Sequence, residues 1–272
     1  MSKSFTRGVL NLSGARPEDA YPYDGPIMPR IHWYSVTIAT SYEAIEKIVV
    51  PPPLKVNRDL PPHLQLSFFV NPTNLGFDGR HSPYQAFSFA ANAVYGDVAG
   101  TAGWEMVDSV YTDKTTADFL IPWGVYFGFL KKFADIRATP MGGGNLEITV
   151  HRHGTQIIRM QIEVGAKLAD EELAAMSAGA VSGAGALTVR EIPNLGYTEY
   201  AERSIWLSPT SEVTVTDAWA AECREIEFGS IELDPFGDFL VEDVVGAAAY
   251  TTQTNKDFFR NARLVKQLPL VP

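Results

Sequence analysis

Apolar and polar positions alternate along most of this chain, and the alternation predicts strands. Ile31–Ala39 (IHWYSVTIA) is rich in aromatic and β-branched residues. Further strands are predicted at Leu64–Val70, Tyr84–Val94, Trp104–Tyr111, Leu146–His153 and Gln156–Val164, the last two as a hairpin closed at Gly154-Thr155. Strand patterns resume at Leu187–Ile192, Ala201–Leu207, Glu212–Trp219 and Glu225–Phe228. Helical signals are fewer. Ser41–Val50 reads as a short helix with Ser41 as N-cap, stopped by Pro51-Pro52-Pro53. Thr115–Ile121, Asp170–Ala178 and Phe258–Val265 are the other helical segments, and Ser177–Ala186 is an Ala/Gly/Ser tract read as a surface loop. Phe239–Thr251 has a mixed pattern. Many strands and few helices predict a mainly β (α+β) fold, an antiparallel barrel or sandwich with a few peripheral helices. Residues 28–272 form one domain, and residues 1–27 an N-terminal arm suited to ordering against a neighbouring subunit.

Composition narrows the function classes. The chain has 272 residues and a formal net charge of −10, with no basic run, which argues against nucleic-acid and anionic-membrane binding. One cysteine, Cys223, excludes an intrachain disulfide framework and a cysteine-based zinc site. The N-terminus lacks the apolar core of a signal peptide, and no apolar stretch is long enough to span a bilayer, so a cytoplasmic location is the default expectation.

Most candidate motifs have a plain reading. His151-Arg-His153 on a strand would place both imidazoles on one face, yet no third metal ligand can be assigned and the turn follows at once. Met141-Gly-Gly-Gly-Asn145 lacks the Lys-Ser/Thr of a phosphate loop, and the glycines of 179–185 spell no dinucleotide fingerprint. No metal or organic cofactor is called for.

One feature is harder to dismiss. Lys131 and Lys132 end the apolar run Trp123-Gly-Val-Tyr-Phe-Gly-Phe-Leu-Lys-Lys132. Two readings stand: a strand emerging into solvent, or an amine held in an apolar pocket. The second has chemical content. An ordinary lysine is neutral in roughly one molecule per 2,500 at pH 7. Burial lowers the pKa, and a neutral amine attacks carbonyls to form a Schiff base. On a regular strand Lys131 shares a face with Phe127 and Phe129, and Lys132 shares the opposite face with Leu130 and Gly128. Desolvation, rather than repulsion by the neighbouring lysine, would then activate one of them.

Gly128-Phe-Leu-Lys-Lys132 resembles the Gly-Tyr/Phe-Pro-Lys-Lys signature of the acetoacetate decarboxylase superfamily. Other segments agree in order. Glu46–Leu54 resembles the family's early helix ending in Val-Pro-x-Pro-Leu, and Val110-Tyr-Thr-Asp113 its Met-Tyr-x-Asp. Glu191-Ile-Pro-Asn194 is similar to its Ile-Pro-Asn/Asp turn, Val213–Trp219 to its Val-Thr-Val-x-Glu-Ala-Trp, and Asp234–Val241 to its closing Asp-Pro-Leu-x-Asp-Leu-Pro-Val. The resemblance covers about residues 28–250 and implies an acetoacetate decarboxylase-like fold.

It further implies that Lys131 forms the imine, with Lys132 as its electrostatic or structural neighbour, and that Arg30 clamps a substrate carboxylate. Tyr84, Gln85 and Phe129 would line the pocket. The departures matter. Pro83-Tyr84-Gln85-Ala86 has alanine where the family has a catalytic glutamate, a second acidic position falls near Gln65, and Gly-Arg-Glu reads Trp123-Gly-Val125. Tyr84, Gln85, His81 or Asp78 would have to stand in. The expectation is a Schiff-base lyase for a keto acid or related carbonyl compound, larger and less charged than acetoacetate, in a homo-oligomer. The alternatives are an imine-dependent aldolase or dehydratase, and a non-catalytic binding protein for small molecules.

Overall fold

Side-chain alternation builds a barrel with two distinct apolar faces. The structure, a computed structural model, describes residues 25–74, 83–109, 112, 120–121, 124–125, 127–182, 185–196 and 198–271. Residues 1–24 of the proposed arm, the Val110–Asp113 match apart from Thr112, most of Thr115–Ile121, and Asp78, His81 and Trp123 lie outside them, while Pro26 and Ile27, also assigned to the arm, belong to the first strand. The strands are β1 (Pro26–Ala39), β2 (Lys55–Val56), β3 (His63–Asn71), β4 (Tyr84–Tyr95), β5 (Val98–Asp108), β6 (Lys131–Gly142), β7 (Asn145–Arg152), β8 (Thr155–Lys167), β9 (Ala186–Pro193), β10 (Tyr200–Ser208), β11 (Val213–Phe228), β12 (Asp243–Asn255) and β13 (Arg263–Gln267). The helices are α1 (Tyr42–Ile48), α2 (Asp170–Ser182) and α3 (Asp257–Arg260). None of them is long and apolar enough to cross a membrane.

Neighbouring strands run β5-β6-β7-β8-β11-β12-β1-β3-β4, and β4 pairs with β5 to close the ring. Closure removes exposed strand edges. β9, β10 and β13 extend from β5, and β2 flanks β4. The mainly β (α+β) expectation holds. The pairing is not wholly antiparallel, however: β5 and β6 are parallel, as is the single contact of β5 with β9. Parallel neighbours need a crossover of about a dozen residues or more, and 109–130 supplies it.

Period 2 divides the barrel wall. Val36 and Ile38, Leu64, Leu66 and Phe68, Phe87 and Phe89, and Trp104 and Met106 join one large core. Residues one step out of phase, among them Ile31, Phe69, Tyr84, Ala86 and Val107, form a smaller cluster on the other face. Phe236 and Phe239 plug the large core, with Phe236 stacked on Phe89 at 4.9 Å between ring centroids.

Several expected elements differ. Ser177–Ala186 is not all loop: α2 runs to Ser182, because alanine favours helix, and its acidic first turn suits the helix N-terminus. The two strands expected in 212–228 are one, β11, with two register shifts against β8. Phe258–Val265 is not a helix; α3 stops at Arg260, and Arg263–Gln267 pairs with β10. The β7–β8 turn sits at His153-Gly154, both with positive φ. His153 is therefore on a turn, and the H-x-H pair does not share a strand face. Ser41 caps α1 as expected, accepting a hydrogen bond from the Ala44 amide at 3.1 Å.

β4 and β5 approach closely at Gly103, where an added Cβ would lie 1.8 Å from the Phe89 carbonyl oxygen. Backbone cannot yield as a side chain can. We expect Gly103→Ala to lower unfolding free energy by about 3 kcal/mol, read from urea denaturation midpoints.

Candidate active site

The parallel seam of β5 and β6 creates the site. Its register sets Glu105 directly opposite Lys131. The Lys131 Nζ donates to Glu105 Oε1, and the two side chains are only 9% and 10% exposed. Burial pushes the Lys131 amine down from its ordinary value to about 7. Desolvation is the cause of that shift; the Glu105 carboxylate, which accepts the Lys131 hydrogen bond, favours the charged amine instead. The Tyr84 ring lies 5.7 Å from Nζ, and burial holds its hydroxyl well above the usual phenol range.

The segment before Lys131 is not the strand expected. Gly124, Val125 and Phe127 are helical, Gly128 has φ +74°, and β6 begins at Lys131 itself. Gly128 is required there, since a Cβ would meet the Val189 carbonyl oxygen at 2.6 Å. The predicted division of the lysines survives by another route, because they are the first two residues of β6 and point to opposite faces.

Lys131 opens into a cavity of about 810 Å³. Phe127, Phe129, Leu120 and Tyr84 are among its apolar walls, with the Tyr84 ring beside the amine. β1, β3 and β12 supply much of the rest, with Trp33, Phe69 and Thr252 and the polar side chains Ser35, Gln65 and Tyr250, and β11, α2 and α3 add Val213, Val215, Met176 and Phe258. Lys131 and Glu105 are the charged groups among the described lining residues.

The other expected site residues fall elsewhere. Lys132 is on the opposite face, where its Nζ donates to Asp234 Oδ1 at 2.5 Å and sits 4.8 Å from the Trp104 ring centroid. Asp234, fully buried, also pairs with Arg152 at 3.0 Å. Lys132 therefore anchors the start of β6 to the Asp234–Val241 segment and does not enter the cavity. Arg30 is exposed and is not among the lining residues, since the register shift between Met28 and Ile31 turns those two residues inward and leaves Arg30 outside. Gln85 is out of phase with Tyr84. Its amide donates to Asp108 Oδ2 and to the Ile136 carbonyl, each at 3.1 Å, tying β4 to β5 and β6. Tyr84 and Phe129 do line the cavity.

Glu105 was missed in the sequence. Its one local signal is a carboxylate inside the apolar run Trp104–Val107, and nothing local pairs it with Lys131. Among the described residues, no group of three or more His, Cys, Asp or Glu side chains could hold a metal ion.

The sequence profile described as acetoacetate decarboxylase (ADC) matches residues 13–265. No curated protein sequence matches the chain significantly. Among solved structures, the chain is similar to the acetoacetate decarboxylase of Legionella pneumophila subsp. pneumophila str. Philadelphia 1, with a TM-score of 0.68 and 16% identity over 89% of this chain and 88% of that one. It is similar to an acetoacetate decarboxylase-like enzyme from Sphingomonas wittichii RW1, with a TM-score of 0.60 and 19% identity over 89% and 94%. It is also similar to the enduracididine biosynthesis enzyme MppR complexed with pyruvate, with a TM-score of 0.59 and 15% identity over 88% and 89%.

The Lys131 amine should react with an arylating reagent along a pH curve with its midpoint near 7, becoming reactive as pH rises. Exposed lysines should need pH near 10. Peptide mapping of the modified protein reads both curves, and a Lys131 midpoint near 10 would contradict the buried, neutral amine.

Proposed function

The chain belongs to the acetoacetate decarboxylase family, and on that premise we propose that it is a lyase that forms a Schiff base at Lys131 with a carbonyl substrate. The observation that carries this reading is the buried Lys131 amine in contact with Glu105 at the end of a large, mainly apolar cavity. The neutral amine adds to the carbonyl carbon, forming a C–N bond as the carbonyl π electrons move to oxygen. Glu105 passes the proton lost from nitrogen to that oxygen, giving the carbinolamine, and relays a second proton drawn from solvent to the carbinolamine hydroxyl, which leaves as water. The resulting iminium accepts the electron pair released when an adjacent C–C bond breaks. A β-keto acid then loses CO₂, and a β-hydroxy carbonyl compound loses an aldehyde. Glu105, once ionised, stabilises the iminium across the contact it makes with the amine.

Glu105 thereby takes the place of the glutamate absent at Ala86. Lys132 acts only through the position of β6. Among the described lining residues no cation is free to hold a substrate carboxylate, which favours carbon–carbon chemistry on an uncharged substrate over decarboxylation of a small keto acid. A structure of MppR holds the condensation product of pyruvate and imidazole 4-carboxaldehyde, so an imine-dependent condensation or its reverse is the second reading.

Borohydride added with a methyl ketone or a keto acid should trap a covalent adduct on Lys131 and none in Lys131→Ala. An absent adduct, with Lys131→Ala equally active, would refute the mechanism. CO₂ release from a keto acid separates decarboxylation from the second reading. Glu105→Gln should slow trapping by about 10²- to 10⁴-fold, the usual contribution of a positioned proton-transfer group, in single-turnover measurements.

A further inference from the structure

The cavity wall away from Lys131 is a preorganised, uncharged hydrogen-bonding surface. Ser35 Oγ lies 2.7 Å from Ser67 Oγ and donates to the Tyr250 hydroxyl at 3.2 Å. Tyr250 is also hydrogen-bonded to Gln65. These four side chains come from β1, β3 and β12, and Ser35, Gln65 and Tyr250 face the cavity.

Strand register links this cluster to the amine. Lys131 is opposite Glu105, Glu105 opposite Ser88, Ser88 opposite Ser67, and Ser67 opposite Ser35. Residues in direct register share a sheet face. Glu105 and Ser35 are therefore three strand spacings apart, roughly 14 Å along the wall. An aromatic and aliphatic row, Trp33-Phe69-Ala86-Val107, runs parallel two residues away in each strand, and of it Trp33 and Phe69 line the cavity while Ala86 and Val107 are fully buried. An apolar chain crossing the cavity past Phe69 and Trp33 would have one end at the amine and the other at the hydroxyl–amide cluster.

We propose that Ser35, Gln65 and Tyr250 form a distal subsite for a neutral oxygen function, a hydroxyl or ketone, on the far end of an elongated apolar carbonyl substrate. This rests on the imine reading for the near end only. The chemistry selects the class. A tyrosine hydroxyl and a glutamine amide can each donate to or accept from an uncharged oxygen. A carboxylate there would be desolvated with no described cation beside it. A plain alkyl terminus would gain no hydrogen bond from these groups.

The test uses methyl ketones of increasing chain length, with a terminal hydroxyl, a terminal carboxylate or a plain methyl end, titrated by calorimetry into the wild-type protein, Tyr250→Phe, Gln65→Leu and Lys131→Met. At the matching length the hydroxylated ketone should bind about tenfold more tightly than the plain one. That preference should fall to about twofold or less in Tyr250→Phe and in Gln65→Leu. It should persist in Lys131→Met, where no imine can form. Equal binding of hydroxylated and plain ketones, tightest binding of the carboxylate, or an unchanged preference in both wall variants would overturn the subsite. Borohydride trapping on the same wild-type mixtures reads the imine separately. A preference without an adduct supports the subsite and refutes the imine; an adduct without a preference does the reverse.

Discussion

The parallel pairing of β5 with β6 is the constraint on which the rest of the site depends. It puts Glu105 against Lys131 at the first residue of β6, in a position where both side chains are about nine-tenths buried. An antiparallel or shifted register would leave each ion buried and alone, a state costing several kcal/mol. The crossover that makes parallel pairing possible carries Phe127 and Phe129 over the same face, so the strand order that pairs the ions also dries them. Folding and chemistry are coupled through one seam.

The same seam explains how two adjacent lysines do different work. A strand turns successive side chains to opposite faces. Lys131 enters an apolar cavity, and Lys132 meets a buried aspartate that is also held by Arg152. The amine is thus activated by loss of water. Lys132 contributes by fixing where β6 begins, since its ion pair with Asp234 ties the strand to the aromatic plug of Phe236 and Phe239.

Much of this was legible in the chain. Alternation located the long strands because each presents one face to a core, and Ser41 with the proline run bounded α1. The lysine pair pointed to this seam, and the apolar residues beside Lys131 marked the cause of that amine's lowered pKa. What was not legible is non-local. The Ala86 position read as a lost carboxylate, and only the pairing of strands distant in sequence shows a carboxylate arriving from β5. The register shift after Met28 likewise turns Arg30 out of the cavity, where sequence position alone put it within reach of a substrate. Gly128 breaks the expected strand by its positive φ, a backbone property that hydrophobic patterning does not carry.

Electrostatics then divides the cavity into two ends. At the near end a cationic iminium would form beside a carboxylate, in a region whose aromatic walls exclude water and so strengthen that attraction. At the far end the hydrogen bonds run among neutral groups, Ser67, Ser35, Tyr250 and Gln65, and burial raises the Tyr250 pKa so that it remains an uncharged phenol. A charge at that end would compete with the ion pair and would itself be poorly solvated. Keeping it neutral confines charge development to the one place where a counter-ion waits. A reaction that creates and discharges a cation within a dry pocket depends on that separation, and the barrel supplies it by giving the two ends to strands on opposite sides of β4.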